Sequence, residues 1–258
     1  MSVPADIPVN RRAPPRNQAG ISLVELLVAL ALSIFLIAGV AVMYFSSSQS
    51  YRVQQQGAQL AQRERLAATF VGSVVQSAGY YDQPGIYNRE AAFPASAPFA
   101  LAGQSFYGTD GSYTGPQGDS LPSDTLTLRM LPGPDDQVLN CLGERNTSGI
   151  GQLYVNQLYL DTADQQLQCA LSGPGIATQT QPILDGVTSL QFLYGVDTNG
   201  GGSADEYLDA AAITDWGAVR SITMILGFST HNAATGAVNT VGAPVYFRAT
   251  FPVRITSQ

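Results

Sequence analysis

From Leu26 to Tyr51 the chain has no charged residue, and the twenty residues Leu26–Phe45 are interrupted only by Ser33 and Gly39. At about 1.5 Å per residue in a helix, that core spans roughly the 30 Å of a bilayer interior. A secretory signal has a shorter apolar stretch, about 7–15 residues, followed by a small-residue cleavage site. Here the run is longer, and the small residues after it, Ser46 to Ser48, make a weak site. Arg11, Arg12 and Arg16 precede the run. Their charge predicts a cytoplasmic N-terminus and an exported C-terminal bulk. Glu25 is the anomaly, a carboxylate at the edge of the apolar run that costs a few kcal/mol unless paired. Either Glu25 sits at the membrane interface and marks the start of a simple anchor, or a cut after Gly20 frees the amine of Ile21. On a neighbouring subunit that amine would neutralise Glu25.

The residues around this acid carry a resemblance. Gly20-Ile21-Ser22-Leu23-Val24-Glu25-Leu26-Leu27-Val28-Ala29-Leu30, behind a basic leader, resembles the class III signal of type IV prepilins and type II secretion pseudopilins. The resemblance implies a prepilin peptidase that cuts after Gly20 and methylates the amine of Ile21. It also implies that Glu25 guides subunit docking. Two positions depart from the usual pattern: Ile21, where Phe or Met is commoner, and Val42, where many major pilins carry a kinking Pro.

No proline occurs between Pro15 and Pro84. After Arg52, Leu60, Ala67, Phe70, Val71, Val74, Val75 and Ala78 recur at helical steps, an apolar stripe suited to a sheet. Gly57 and Gly72 lie on this stretch, where glycine permits bending or close packing. Gly79 and Pro84 are stop signals. One helix is therefore expected from Ile21 to Gly79, with 21–52 the transmembrane and filament-core half and 53–79 the amphipathic half. Residues 80–258 form the exported head, and 1–20 are the leader. In the head, 80–123 read as a long loop region. Strand patterns follow at Thr125–Met130, Leu153–Leu160, Gln166–Leu171, Val187–Val196, Val219–Phe228 and Val245–Ile255, with a hairpin joining the second and third. Pro252 suggests an edge. A long helix followed by antiparallel strands makes an α+β fold.

Without residues 1–20, nine Arg face eighteen acids, a net charge of −9. Such a chain repels phosphate backbones, so no nucleic-acid partner is expected. No Lys occurs, which excludes a P-loop lysine, a Schiff base and a Ser-Lys dyad. Cys141 and Cys169 read as one disulfide in an exported domain, the alternative being two unlinked buried thiols.

Several head segments, in order, are similar to the PilW minor pilins: Asp124-Thr125-Leu126-Thr127, Cys141-Leu142-Gly143, Leu167-Gln168-Cys169, Gly186 to Phe192, Tyr194-Gly195-Val196-Asp197, and Trp216 with Val219-Arg220. With the signal, the resemblance runs from Gly20 to about Phe228. It implies the pilin fold and a low-abundance subunit that helps initiate pilus assembly near the filament tip. The partners implied are prepilin peptidase, other minor and major pilins, and the inner membrane before assembly. A J-type secretion pseudopilin and a membrane-anchored periplasmic binding or adhesion module are the alternatives.

Asp197, Asn199 and Asp205 occupy positions one, three and nine of a Gly-rich loop that resembles a degraded calcium loop. Position five is Gly201 and position twelve is Leu208, so the bidentate Glu is missing, although Glu206 and Asp209 are close. The favoured reading is a Gly-rich connection leading to a short helical segment at Asp205 to Ile213, with calcium as the alternative and no other cofactor expected. No enzyme is expected. The sole histidine, His231, reads as a solvated loop residue, and no G-x-S-x-G motif occurs. Trp216 reads as core or a helix-to-sheet contact, with a subunit interface as the alternative.

Overall fold

The computed structural model describes residues 20, 22–114, 120–228, 230–231, 238–239 and 245–253. The backbone forms two compact units, one ending at Arg52 and the other beginning at Val53, and helix α1 (Leu23–Ser77) contributes to both.

In the first unit, α1 is exposed at every residue from Leu23 to Val40. Its most apolar window has a mean hydropathy of 2.8 and buries nothing against the rest of the chain. In the second unit the apolar stripe has found its surface. Ala67, Val71, Val74 and Val75 are buried, and Leu60 and Phe70 pack beside them. Gly72 lets a strand side chain approach, because an added Cβ would lie 3.0 Å from the ring of Phe251. The helix stops where Gly79 adopts φ +74, the left-handed conformation glycine tolerates, and its N–H donates to the carbonyl of Arg129 at 2.9 Å.

The remaining elements are α2 (Arg89–Ala92), β1 (Phe106–Thr109), β2 (Ser112–Thr114), β3 (Ser120–Pro122), β4 (Thr125–Met130), β5 (Tyr154–Asp161), β6 (Gln166–Gly173) and β7 (Ile176–Asp185). Then come β8 (Val187–Val196), β9 (Glu206–Leu208), two 3-10 turns (Ala210–Ala212 and Trp216–Ala218), β10 (Val219–Phe228), β11 (Thr230–His231), β12 (Val238–Asn239) and β13 (Val245–Pro252). A five-stranded sheet runs β1-β4-β5-β6-β7, and a four-stranded sheet runs β13-β10-β8-β9. Each neighbouring pair is antiparallel. The architecture is α+β.

Alternation on β5 turns Tyr154, Asn156, Leu158 and Leu160 inward. These join Leu126, Leu128, Leu167, Phe192, Met224, Leu226 and the buried α1 residues in one cluster. Full burial of each such side chain is worth roughly 1.5–3 kcal/mol. Asp124 ties the two sheets together. Its N–H donates to Leu190 O at 2.8 Å, and its carboxylate accepts from the Phe192 N–H at 2.7 Å and the Gly111 N–H at 3.2 Å. Burial raises the Asp124 carboxyl pKa, against the lowering effect of those two N–H groups.

The strands expected at Thr125–Met130, Val187–Val196 and Val219–Phe228 have those bounds, and β5 with β6 is the expected hairpin. Helix α1 is shorter than expected at both ends. Within the 80–123 loop region lie the small elements α2 and β1 to β3. Strand β7 was not legible in the sequence. It reads Ile-Ala-Thr-Gln-Thr-Gln-Pro-Ile-Leu-Asp and is exposed on both faces over most of its length, so no two-residue apolar period marks it. Pro252 ends β13, which is an edge strand.

Candidate functional site

The N-terminal signal lies at the start of α1. Gly20 is exposed and has no atom within 4 Å of a built Cβ. Ile21 lies outside the described residues. Glu25 is in the first turn of α1, where the helix dipole favours an acid, and it is exposed.

Cys141 and Cys169 form a disulfide with Cα atoms 6.2 Å apart. It fastens the segment between β4 and β5 to β6. The buried side chain of Asn156 supports it by accepting from the Cys141 N–H at 2.9 Å.

The 197–205 loop is closed by its own donors. Asp197 Oδ2 accepts from the Gly202 N–H at 2.9 Å and faces Arg220 Nη2 at 3.1 Å. Burial acts to raise the Asp197 carboxyl pKa, but N–H groups of Gly202, Gly200 and Gly201 and the Arg220 charge outweigh it, leaving the group below the usual carboxylate range. Asp205 accepts from the Thr198 N–H at 3.1 Å and from Asn199 Nδ2 at 2.8 Å, while Asn199 Oδ1 accepts from the Gly201 N–H at 2.7 Å. Calcium needs convergent, unengaged oxygens. Here Asp197 Oδ2, Asn199 Oδ1 and the Asp205 carboxylate are engaged by N–H donors, and the cation beside Asp197 is a guanidinium. Asp197 Oδ1 is buried with no hydrogen-bond partner among the described residues, and that single free oxygen is not the convergent set calcium takes. Nor does any group of three or more His, Cys, Asp or Glu suited to a metal occur among the described residues. The segment after the loop is strand β9 and a 3-10 turn, not the expected helix. The turn is capped by Asp110, whose carboxylate accepts from the N–H groups of Ala210 and Ala211. His231 falls on β11 rather than in a loop.

Two arginines went unnoticed in the sequence. Arg129, on β4, is 1% exposed and has no acid partner among the described residues. It donates to the carbonyls of Phe93 at 3.0 Å, Pro94 at 2.7 Å and Gln104 at 2.5 Å, and its guanidinium lies over the rings of Phe93 and Phe99 at 5.4 and 4.3 Å. The 93–104 segment is thus folded around a cation. An arginine within the alternating Thr-Leu-Thr-Leu-Arg-Met pattern was the available signal. Arg89, in α2, donates through Nε to Gly103 O at 2.8 Å and through Nη2 to Ser105 Oγ. It borders a cleft of about 420 Å³ shared with Tyr81, Glu90, Phe106, Trp216 and Val253. Trp216 is half-buried and packs edge-on against Tyr194 and Phe106, with centroids 4.9 and 6.1 Å away.

Comparison with known proteins adds two family matches. Residues 15–41 match the prokaryotic N-terminal methylation motif, and residues 146–243 match the family described as type IV pilus-assembly protein W. Among solved structures, a type IV-like pilin from Thermus thermophilus is similar at 13% identity and a TM-score of 0.38, over 75% of this chain and 94% of that one. No match was found among curated proteins. An N-methylation motif leading a membrane-length apolar helix, which then enters an antiparallel head, defines a type IV pilin-like protein. Residues 146–243, in the head, are similar to the PilW family of minor pilins.

Proposed function

We propose that this protein is an assembly subunit that helps initiate type IV pili near the filament tip. The observation that carries the reading is the exposed apolar stretch of α1, which overlaps the methylation motif at residues 15–41 and buries nothing within its own chain. In the precursor the basic leader stays in the cytoplasm, α1 crosses the inner membrane and the head lies in the periplasm. Prepilin peptidase cuts after Gly20 and methylates the amine of Ile21. Glu25 then pairs with that amine on a neighbouring pilin, and lipid contacts are exchanged for helix–helix contacts in the filament. The mechanism is physical association, with no catalytic group required.

The test is mass spectrometry of the N-terminal peptide from membrane and sheared-filament fractions. A peptide beginning at methylated Ile21 in both fractions supports the reading. A chain beginning near Met1, or cut after the apolar run, refutes it. Glu25→Ala should leave the protein in the membrane and remove it from filaments, whereas a simple anchor would function unchanged.

A further inference from the structure

We propose that the cleft beside Arg89 and Trp216 binds a carboxylate carried on a small body with an apolar side chain or a ring face. Three observations converge. First, Arg89 is held in place and left unpaired. Its Nε and Nη2 are fixed by Gly103 O and Ser105 Oγ, and the guanidinium borders the cleft. Among the described residues the ion pair is Arg220 with Asp197, and neither Arg89 nor Arg129 has a carboxylate partner. In a head with six arginines against sixteen acids over residues 80–258, a half-buried arginine without an acid stands out. Burial also lowers its pKa, the direction that a bound anion would reverse.

Second, the lining, which also holds Glu90, is apolar or aromatic at Tyr81, Phe106, Trp216, Val219 and Val253. Trp216 is oriented by its contacts with Tyr194 and Phe106. Third, the volume of about 420 Å³ falls within the roughly 300–1,000 Å³ of small-molecule sites. A guanidinium offers directed N–H donors to a carboxylate, and the ring and valines would take the attached body. A peptide's terminal carboxylate and an acidic sugar share this chemistry. The inference does not rest on the assembly role.

Trp216 is the sole tryptophan, so its fluorescence reports on the cleft directly. The full-length protein in detergent micelles would be titrated with N-acetyl-leucine and with glucuronate, using N-acetyl-leucine amide and glucose as uncharged controls. A saturable change with either acid and not with its control supports the proposal, and which acid responds identifies the source. Arg89→Gln should weaken that response at least about tenfold, as expected for losing a charged hydrogen bond. Glu90→Gln removes a negative charge from the cleft lining beside Arg89, so it should tighten binding about two- to threefold. No response to either acid at millimolar concentration, an equal response to the controls, or unchanged binding in both variants overturns it.

Discussion

Replacing Arg129 with Met removes the cation around which residues 93–104 are folded while keeping most of the side chain's length. In the native protein its guanidinium serves three backbone carbonyls and lies between two phenyl rings, with no acid to neutralise it. Each buried acceptor left without a donor costs about 1–3 kcal/mol, and the ring contacts contribute about 1–2 kcal/mol more. Relief from burying an unpaired charge, itself several kcal/mol, offsets much of that total. The net expectation is a loss of about 2–4 kcal/mol, near the lower end of the range for breaking a buried charged network. Lys keeps the charge but lacks the planar fork, so Arg129→Lys should fall between wild type and Met. Urea unfolding followed by Trp216 fluorescence measures the loss. Hydrogen exchange at Gly103, whose N–H donates to Phe93 O at 2.8 Å, reports the local effect. Burial, with the Arg89 charge adding to it, lowers the Arg129 pKa to about 10, so the group is charged at neutral pH. Its unfolded pKa is higher, so the unfolded chain binds more protons above pH 10 and the wild-type advantage should widen there. A loss below about 0.5 kcal/mol, with unchanged exchange at Gly103, would show that Arg129 does not anchor this segment.

Four further outcomes follow from the geometry. Cys141→Ser with Cys169→Ser opens a loop with a sequence separation of 28 residues, and loop-closure entropy puts the loss at about 3–4 kcal/mol, measurable by thermal unfolding with and without reductant. Tyr194 is buried with an Oη that has no hydrogen-bond partner, so Tyr194→Phe should gain about 1 kcal/mol; a loss of similar size in urea unfolding would point to a bound water. Asp197 has a folded pKa below its unfolded value, so its contribution is present above about pH 4 and is lost as pH falls through the folded pKa. Asp197→Asn should therefore destabilise at neutral pH and converge with wild type in acid, and parallel stability curves would contradict this. Because Arg220 faces Asp197, millimolar calcium should leave the melting temperature unchanged, and a saturable rise would reinstate a metal loop.

The membrane-length helix, its apolar stripe and the methylation motif over residues 15–41 were legible because each depends on local periodicity and charge. Burial of Ala67, Val71, Val74 and Val75 follows from a 3.6-residue period that any helix imposes. Strands β4, β8 and β10 were equally visible, since buried sheet positions concentrate apolar residues. Strand β7 was not, because an edge strand exposed on both faces has no apolar period. Gly72 and Gly108 show the same limit at single residues. Only the fold brings the Phe251 ring to Gly72 and places Tyr194 Oη 1.9 Å from a Cβ built at Gly108. The loop at Asp197 illustrates it for chemistry: the spacing of its acids left calcium open as an alternative to a Gly-rich connection, and only the fold brings Arg220 to Asp197 from another strand. Arg89 and Trp216 are 127 positions apart, so their sharing of one cleft was decided by chain topology. Sequence by itself determined the segments with a strong local period, the long apolar helix and the buried strands β4, β8 and β10. Tertiary structure decided which distant groups meet, because long-range proximity is set by packing of whole elements rather than by local pattern.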